Sequence, residues 1–235
     1  MKKLARKLLN DLGYDLKRHP EYDLRRKLKL LKTFQINTVF DVGANVGQYG
    51  SLLRNIKFEG RIVSFEPLSS AYQKLVAASR QDKNWETENI AIGDSDGEIE
   101  INISENSASS SILDMLPNHV KEAPKSRYIN KEKVKLYKLD SIYPKYIKDG
   151  EKVFLKIDTQ GYEKNVLDGA EDFLKHVTGL QIEMSIVPLY SNEFLIDDMI
   201  SFLQSRGFGL YSLENGFSSK ETGQLFQVDG IFFRK

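Results

Sequence analysis

A glycine-containing segment follows an apolar run and could hold a polar ligand. Residues 41–47 read DVGANVG and end a run that begins at Ile36. A strand that stops at small residues before a helix lets backbone N–H groups and the helix dipole approach such a ligand. Glu66 ends the next apolar run, where a carboxylate can accept two hydrogen bonds from a ribose diol. This spacing predicts a site for a nucleoside-containing cofactor.

The glycine pattern favours one cofactor over another. A dinucleotide loop has the pattern G-x-G-x-x-G, which lets the backbone press against a pyrophosphate. Here Asn45 stands at the second glycine position and Gln48 at the third, so no pyrophosphate is implied. Asp41, two residues before the first glycine, suits a ligand with an ammonium and a carboxylate, the polar groups of S-adenosylmethionine (SAM). A glycine-rich turn without a ligand is the other interpretation, and Glu66 at the expected place counts against it.

Two carboxylates could carry the chemistry. Asp158 ends an apolar run, residues 153–157, and is followed by a glycine turn. In a doubly wound sheet this fourth strand lies beside the first, which places Asp158 next to the glycine loop. It could act as a general base on a hydroxyl or orient it during in-line attack on a sulfonium methyl, or it could cap the following helix. Glu183 lies in a run that should be half buried and therefore needs a partner or a function. The pair could also hold Mg²⁺.

The remaining reactive residue types give weaker evidence of a catalytic or metal site. His19, His119 and His176 show no metal-ligand spacing, and the chain has no cysteine, so a zinc site would need these histidines with carboxylates. His119 could approach the site as a base or be a solvated loop residue. The sequence contains no G-x-S-x-G motif, which argues against a serine nucleophile.

Composition predicts one α/β domain with a basic N-terminal appendage. The chain has 235 residues, 40% of them apolar, and a net charge of +1, which is not a signal for nucleic acid. Residues 1–32 hold 11 Lys or Arg and 4 Asp or Glu; residues 33–235 would form the main domain. Leu4, Leu8 and Leu12 predict an amphipathic helix, packed on the body or touching an anionic membrane. No signal peptide is recognised, and a cytoplasmic location is expected.

Alternating strand-like and helix-like runs predict a doubly wound, mostly parallel sheet with its ligand crevice at the strand C-terminal ends. The predicted strands are Ile36–Val42, Arg61–Phe65, Trp85–Ile90, Val153–Asp158, Leu180–Ile186, Gly209–Leu213 and Gln224–Phe233. The predicted helices are Val46–Ile56, Ala71–Ser79, Gly161–His176 and Glu193–Arg206. The short link 214–223 predicts that the last strand returns antiparallel. We therefore expect seven strands with an antiparallel final one.

An insertion interrupts the alternation at about residues 93–138. It contains a predicted strand pair, Glu98–Ile103 and Lys133–Leu139, and between them residues 104–111 read SENSASSS. An insertion of this kind is typical of a substrate lid. A plain solvated loop is the alternative interpretation.

Taken in order, these motifs resemble the FkbM family of SAM-dependent methyltransferases. The resemblance spans residues 36 to 233 and is carried by residues 41–47 (DVGANVG), 65–67 (FEP), 91–94 (AIGD), 155–163 (LKIDTQGYE), 166–170 (VLDGA) and 228–232 (VDGIF). It implies a class I methyltransferase fold, Rossmann-like, with seven strands. Gln160 stands where the family also has Glu, so it lacks a charge that some relatives carry.

The resemblance also implies residue roles. The amino acid end of SAM would meet Gly43, Asn45 and Gly47, its ribose Glu66, and its adenine Ala91 and Ile92. Asp158 and Glu183 would lie beside the donor methyl, and Ser110 and Ser111 near the substrate.

The implied activity is O-methylation of a hydroxyl on a sugar, glycolipid or related natural product. A small-molecule or glycan acceptor is expected, and no nucleic acid. Two alternatives stay open: a nicotinamide-dependent sugar-modifying enzyme and a noncatalytic module that binds the cofactor.

Overall fold

The computed structural model describes residue 9, residues 11–14 and residues 21–234. Most of the predicted N-terminal amphipathic helix, including Leu4 and Leu8, lies outside the described residues, as does His19. The described helices are α1 (Tyr22–Thr33), α2 (Gln48–Asn55), α3 (Ser69–Ser79), α4 (Pro117–Glu122), α5 (Leu139–Ile142), α6 (Glu163–Asp168) and α7 (Ile196–Ser205). The strands are β1 (Thr38–Val42), β2 (Arg61–Phe65), β3 (Trp85–Glu88), β4 (Ala91–Ile92), β5 (Gly97–Ser104), β6 (Tyr128–Tyr137), β7 (Val153–Ile157), β8 (Val177–Ser185), β9 (Phe208–Asn215) and β10 (Gln227–Arg234).

The main sheet has the predicted architecture. Within the described residues, seven strands pair in the order β3-β2-β1-β7-β8-β10-β9. The pairs from β3 to β8 are parallel, whereas β10 is antiparallel to both β8 and β9. The expected mostly parallel sheet with an antiparallel last strand is thus confirmed. Since β1 lies between β2 and β7, the chain reverses its direction of travel across the sheet there, and ligands of such sheets bind at this point.

The central strands are buried on both faces, which explains their continuous apolar runs. Every residue of β1 and of β7 is buried. Side chains alternate between the two faces of a strand, so Val39 packs with Leu31 and Leu53 in one layer while Phe40 packs with Phe173 in the other. Asp41 and Lys156 are the charged residues of these two buried strands.

Two predicted elements end earlier than expected. The helix predicted over Gly161–His176 stops at Asp168, and a short 3₁₀ turn follows at Phe173–His176. The prediction was wrong because Gly169 packs directly on the backbone of Gly93, where any Cβ atom would overlap the carbonyl oxygen. The strand predicted over Trp85–Ile90 ends at Glu88, and the chain then moves to a second sheet through β4.

The insertion contains the predicted strand pair. In the described chain, three strands form a second sheet in the order β4-β6-β5, with β5 and β6 antiparallel. The serine-rich turn folds back on β5 through backbone hydrogen bonds between Asn102 and Ser111 in both directions, at 2.9 and 3.1 Å. The second sheet thus holds the serine-rich turn against the end of the main sheet.

Helix α1 packs on the main sheet. Leu31 is 2% exposed in the same core cluster as Leu53 and Phe233, and the ring of Phe34, just after the helix, stacks on Phe233 at 3.9 Å. Lys27 reaches across to Glu214 of β9, with their charged atoms 3.0 Å apart. The domain division at residues 32 and 33 stays a prediction, but the part of the segment 1–32 that forms α1 is joined to the core. Among the described residues, no helix combines the length and apolarity needed to cross a membrane.

Replacing Leu31 with alanine tests this attachment. We expect Leu31→Ala to lower the free energy of unfolding by about 2 to 5 kcal/mol, because a buried leucine leaves a cavity. Leu12→Ala is the control, since Leu12 is 68% exposed, and it should change stability by about 0.5 kcal/mol or less. Equal effects of both variants in urea titrations would contradict the packing of α1 on the core.

Candidate active site

A cavity of about 670 Å³ opens at the C-terminal ends of the central strands. Its walls include the loops that follow β1, β2 and β7, side chains of β8, and the serine-rich turn of the insertion. This volume lies within the range of pockets that hold cofactors and small substrates. The crevice is therefore where the sequence predicted it.

The loop after β1 is held tightly from two sides. Gly43 has φ of +77°, and a Cβ atom there would overlap the carbonyl oxygen of Asp158. The backbone N–H groups of Gly43 and Ala44 both donate to the carbonyl of Phe65, at 3.1 and 3.0 Å. On the other side, Lys156 Nζ donates to the carbonyl of Gly43 at 3.2 Å. Only glycine meets both the conformational and the steric demand at position 43.

Glu66 is anchored by the backbone yet keeps acceptor capacity. Its Oε2 accepts the N–H of Asn45 at 2.8 Å, and its Oε1 accepts the N–H of Leu68 at 2.9 Å. A carboxylate oxygen has two acceptor positions, so each oxygen retains one that can serve a hydroxyl group. Burial raises the pKa of Glu66 to about 7. The side chain lines the cavity and presents two adjacent acceptors, the arrangement that a ribose diol requires.

Asp158 and Glu183 are joined by one amide. Gln160 Nε2 donates to Asp158 Oδ1 at 2.9 Å and to Glu183 Oε2 at 2.7 Å. Gln227 Nε2 donates to the same Glu183 oxygen at 2.8 Å. Burial raises the pKa of Glu183 well above its usual range, and the charges of Asp158 and neighbouring carboxylates add to the effect. The structure therefore brings the two predicted catalytic acids into a single hydrogen-bonded group.

Lys156 is the buried cation of the site. It is 6% exposed, and its Nζ lies 3.3 Å from Asp41 Oδ1 and 3.4 Å from Asp158 Oδ2. Burial disfavours its charge, but Asp158 and Asp41 outweigh that cost and raise the pKa of the ammonium. Sequence analysis missed Lys156, although a lysine inside an apolar strand is the same kind of signal that identified Glu183.

A row of acids continues along the sheet beyond Glu183. Asp229 of β10 stands opposite Glu183 of β8 and opposite Glu214 of β9. Burial raises the pKa of Asp229, and the charge of Asp158 adds to this. Glu214 is paired with Lys27, and all these side chains line the cavity. The sequence held a signal for Asp229, which lies in an apolar strand, but none for Lys27 or Glu214.

Most of the predicted site residues border the cavity, and three do not. Those on its wall are Gly43, Asn45, Glu66, Ala91, Ile92, Ser110, Ser111, Asp158 and Glu183. Asp41 is fully buried beneath the wall and reaches the site only through Lys156. Gly47, with φ of +88°, begins α2 and faces Leu75 and Trp85 instead.

His119, considered as a base that approaches the site or as a solvated loop residue, neither borders the cavity nor is solvated. It is 3% exposed, with its ring centroid 5.2 Å from that of Tyr190. Its Nδ1 is buried without a hydrogen-bond partner, and burial lowers the pKa of the imidazole to about 4. The side chain is an apolar packing element, because α4 turns it inward rather than toward the crevice.

The serine-rich turn closes one side of the cavity. Ser111 Oγ donates to the carbonyl of Gln160 at 2.6 Å, and Ser110 Oγ accepts the N–H of Ser104 at 3.0 Å. Ser107 and Ala108 also border the cavity. The insertion is thus tied to the turn that carries Asp158, as a substrate-side element would be.

The oxygen atoms of this site do not form a metal-binding set. In the described parts of the chain, no group of three or more His, Cys, Asp or Glu residues could hold a metal ion. Asp158 and Glu183 face amide N–H donors and an ammonium, which compete with a cation for the carboxylate oxygens. The Mg²⁺ ion that sequence analysis considered therefore does not fit the side chains as they are arranged.

The sheet order and the cavity at its switch point define a SAM-dependent methyltransferase fold of class I. The Methyltransferase FkbM domain model matches residues 41–210. The chain belongs to this family, which confirms the resemblance inferred from its motifs.

One solved structure supports the fold, and two others are more distantly similar. A putative methyltransferase from Thermobifida fusca YX has 10% identity and a TM-score of 0.53, over 90% of this chain and 79% of that chain. TehB from Haemophilus influenzae has 10% identity and a TM-score of 0.49, over 91% of this chain and 62% of TehB. A SAM-dependent methyltransferase from Aquifex aeolicus has 10% identity and a TM-score of 0.43, over 88% and 89% of the two chains. No curated protein sequence matches this chain.

The titration of Glu66 gives a testable pH dependence. A ribose diol donates two hydrogen bonds to a carboxylate, whereas a protonated carboxyl has lost acceptor capacity. We expect the affinity for S-adenosylhomocysteine (SAH) to rise with pH between 6 and 8, as Glu66 ionises near 7. Glu66→Gln should remove this dependence and weaken binding by about 1.5 to 3 kcal/mol, as measured by calorimetry.

Glu59→Gln is the matched control, because Glu59 is exposed and does not border the cavity. It should keep both the affinity and the pH dependence. A wild-type affinity that does not vary with pH would show that Glu66 is not the group that receives the diol.

Proposed function

We propose that this protein transfers a methyl group from SAM to a hydroxyl of a sugar, a glycolipid or a related natural product. The observation that carries the proposal is a single cavity in which a diol-accepting glutamate, Glu66, and an amide-linked acid pair, Asp158 and Glu183, lie two strands or more apart. The end of the cavity at Glu66 suits a nucleoside, and the end at Asp158 and Glu183 suits a hydroxyl that must lose a proton.

The cofactor end fits SAM. When bound, SAM supplies a methyl group on an electrophilic sulfonium sulfur. Glu66 would hold the ribose through its remaining acceptor positions, and the apolar wall formed by Ile90, Ala91 and Ile92 would border the adenine. Gly43, Ala44 and Asn45 border the same cavity, and the methionyl arm would lie along them. These roles come from the geometry of the wall and remain proposals.

The acceptor end fits a hydroxyl group. Each acid uses one oxygen to receive the amide of Gln160, and Asp158 Oδ2, beside Lys156 Nζ at 3.4 Å, keeps a second acceptor position for an O–H. Asp158 would orient the hydroxyl oxygen for in-line attack and take its proton as the C–O bond forms and the bond between the methyl carbon and the sulfonium sulfur breaks. Ser110 and Ser111 would border the acceptor, whereas His119 has no place in this proposal because it packs outside the cavity.

The alternatives considered from sequence receive less support. A nicotinamide enzyme would need a glycine at position 45 for the pyrophosphate, and family membership also counts against it. No specific observation supports a noncatalytic module. A cytoplasmic location, the absence of nucleic acid partners and a membrane contact by the basic segment remain predictions.

Calorimetric titration with SAH beside NAD tests the cofactor directly. Micromolar binding of SAH together with no binding of NAD would support the proposal. Binding of NAD alone, or of neither ligand, would overturn it.

Asp158→Asn tests the chemistry. We expect methyl transfer from tritiated SAM to a pool of glycolipids and oligosaccharides to fall by about 100-fold or more, the scale of a lost general base. The affinity for SAH should stay nearly unchanged, because asparagine keeps the shape of the side chain.

Asp149→Asn is the control, since Asp149 is exposed on a distant turn, and it should retain full activity. If Asp158→Asn lost SAH binding and turnover equally while remaining folded, Asp158 would belong to the cofactor site instead.

A further inference from the structure

The turn after β7 aims one amide at both acids. Gln160 has φ of +57° and is followed by Gly161 at +96°. A left-handed conformation is unfavourable for a residue with a side chain and persists only where the surroundings impose it. Here a Cβ atom at Gly161 would lie 2.9 Å from the ring of Tyr190. The strained turn directs the Gln160 side chain back across the strand ends toward β8.

Every hydrogen-bonding group of this amide is engaged. Its nitrogen donates both protons, one to each acid, while Tyr190 donates its hydroxyl proton to Gln160 Oε1 at 2.9 Å. The hydroxyl of Ser111 holds the backbone carbonyl of Gln160 at 2.6 Å. The amide nitrogen thus faces the two acids, and the amide oxygen faces the hydroxyl of Tyr190.

The amide occupies the position between two carboxylates that would otherwise repel each other. Two acids that share a site cannot both ionise freely unless something donates to them or neutralises them. Divalent cations often fill that role, but here the two N–H groups of Gln160 are the donors shared by both acids. Lys156 faces Asp158 alone, and Gln227 donates to Glu183 alone. The donors lie at about 120° on a planar amide, so they also fix the spacing of the two bound oxygens at about 5 Å.

We infer that Gln160 is a positioning residue that takes the place of a divalent cation between Asp158 and Glu183. It holds one oxygen of each acid and thereby turns the other oxygen of each toward the acceptor. The inference rests on the proposed function for the roles of the two acids. It adds that this pair operates on an amide bridge rather than on a bound metal.

A negative charge introduced at position 160 should create a metal site between the two acids. Gln160→Glu places a third carboxylate where two N–H donors stood, and oxygen-rich sets of this kind bind Mn²⁺ and Mg²⁺. We expect this variant to bind one Mn²⁺ at least about tenfold more tightly than wild type, read from the loss of the free-ion EPR signal. Adding Asp158→Asn to the variant should abolish the gain. Gln73→Glu, at an exposed position on α3, is the matched control and should gain no site.

Two outcomes of the Mn²⁺ titration would overturn the inference. Wild-type protein could bind Mn²⁺ in a way that Asp158→Asn removes, which would make the natural site a metal site. Alternatively, Gln160→Glu could fold and gain no Mn²⁺, which would show that the amide does not occupy a cation position.

A second measurement separates positioning from a merely structural role. In protein labelled with ¹³C at the glutamate carboxyl, with the resonance of Glu183 assigned through Glu183→Gln, Gln160→Ala should raise the titration midpoint of Glu183 by about one pH unit or more. The reason is that the anion loses an N–H donor. An unmoved midpoint in a folded variant, whatever its thermal stability, would overturn the inference.

Both measurements are independent of SAM and of any acceptor. If SAH binds while Gln160→Ala leaves Glu183 unaffected, the bridge is wrong and the proposed function stands. If Gln160 behaves as expected while SAH does not bind, the proposed function fails alone.

Discussion

The centre of the site depends on the buried cation Lys156. Lys156 lies within β7 between Asp41 of β1 and Asp158, and it also donates to the loop carbonyl of Gly43. A buried charge is tolerated only when it is paired and hydrogen-bonded, so the ammonium requires these partners and they require it. Three elements at the cavity are thereby fixed relative to one another: Asp41 at the end of β1, the loop that follows it, and Asp158 after β7.

This constraint explains why Asp41 matters although it does not border the cavity. Burial raises the pKa of Asp41, a cost that Lys156 reduces. The ion pair crosses from β1 to β7 at the point where Asp41 and Lys156 stand opposite each other in register. Asp41 therefore does not border the crevice itself. It pairs with Lys156, which does. Gly43 completes the arrangement because no larger residue lets the loop lie on the end of β7.

The position of Gly43, Asn45 and Glu66 on the cavity wall could be predicted because the signals are local. Gly43, Asn45 and Glu66 each follow an apolar run, and the parallel pairing of β1 with β2 and β7 brings the three strand ends together by rule. The same reasoning placed Asp158 and Glu183, since a charge in a buried strand needs a reason. Asp41 and Gly47 do not border the cavity, because the loop turns these two residues toward the interior rather than toward the crevice. His119 does not border it either, since its burial in α4 is decided by packing against Tyr190 and not by any nearby pattern.

Several contacts around the cavity could not be predicted, because they are assembled over long sequence distances. Lys27 of α1 meets Glu214 of β9, and Ser111 of the insertion meets Gln160 after β7. Neither pair has a spacing that a motif could record, since each depends on how separate elements pack. The row Glu183, Asp229 and Glu214 arises only when β10 inserts between β8 and β9. Like charges directly opposite each other on neighbouring strands are unfavourable, so this row of acids lowers the stability of the folded protein. This concentration of acids is tolerated because Lys27 and Lys156 form ion pairs with some of them and the amides of Gln160 and Gln227 donate hydrogen bonds to others. These polar partners are therefore as much a part of the site as the acids.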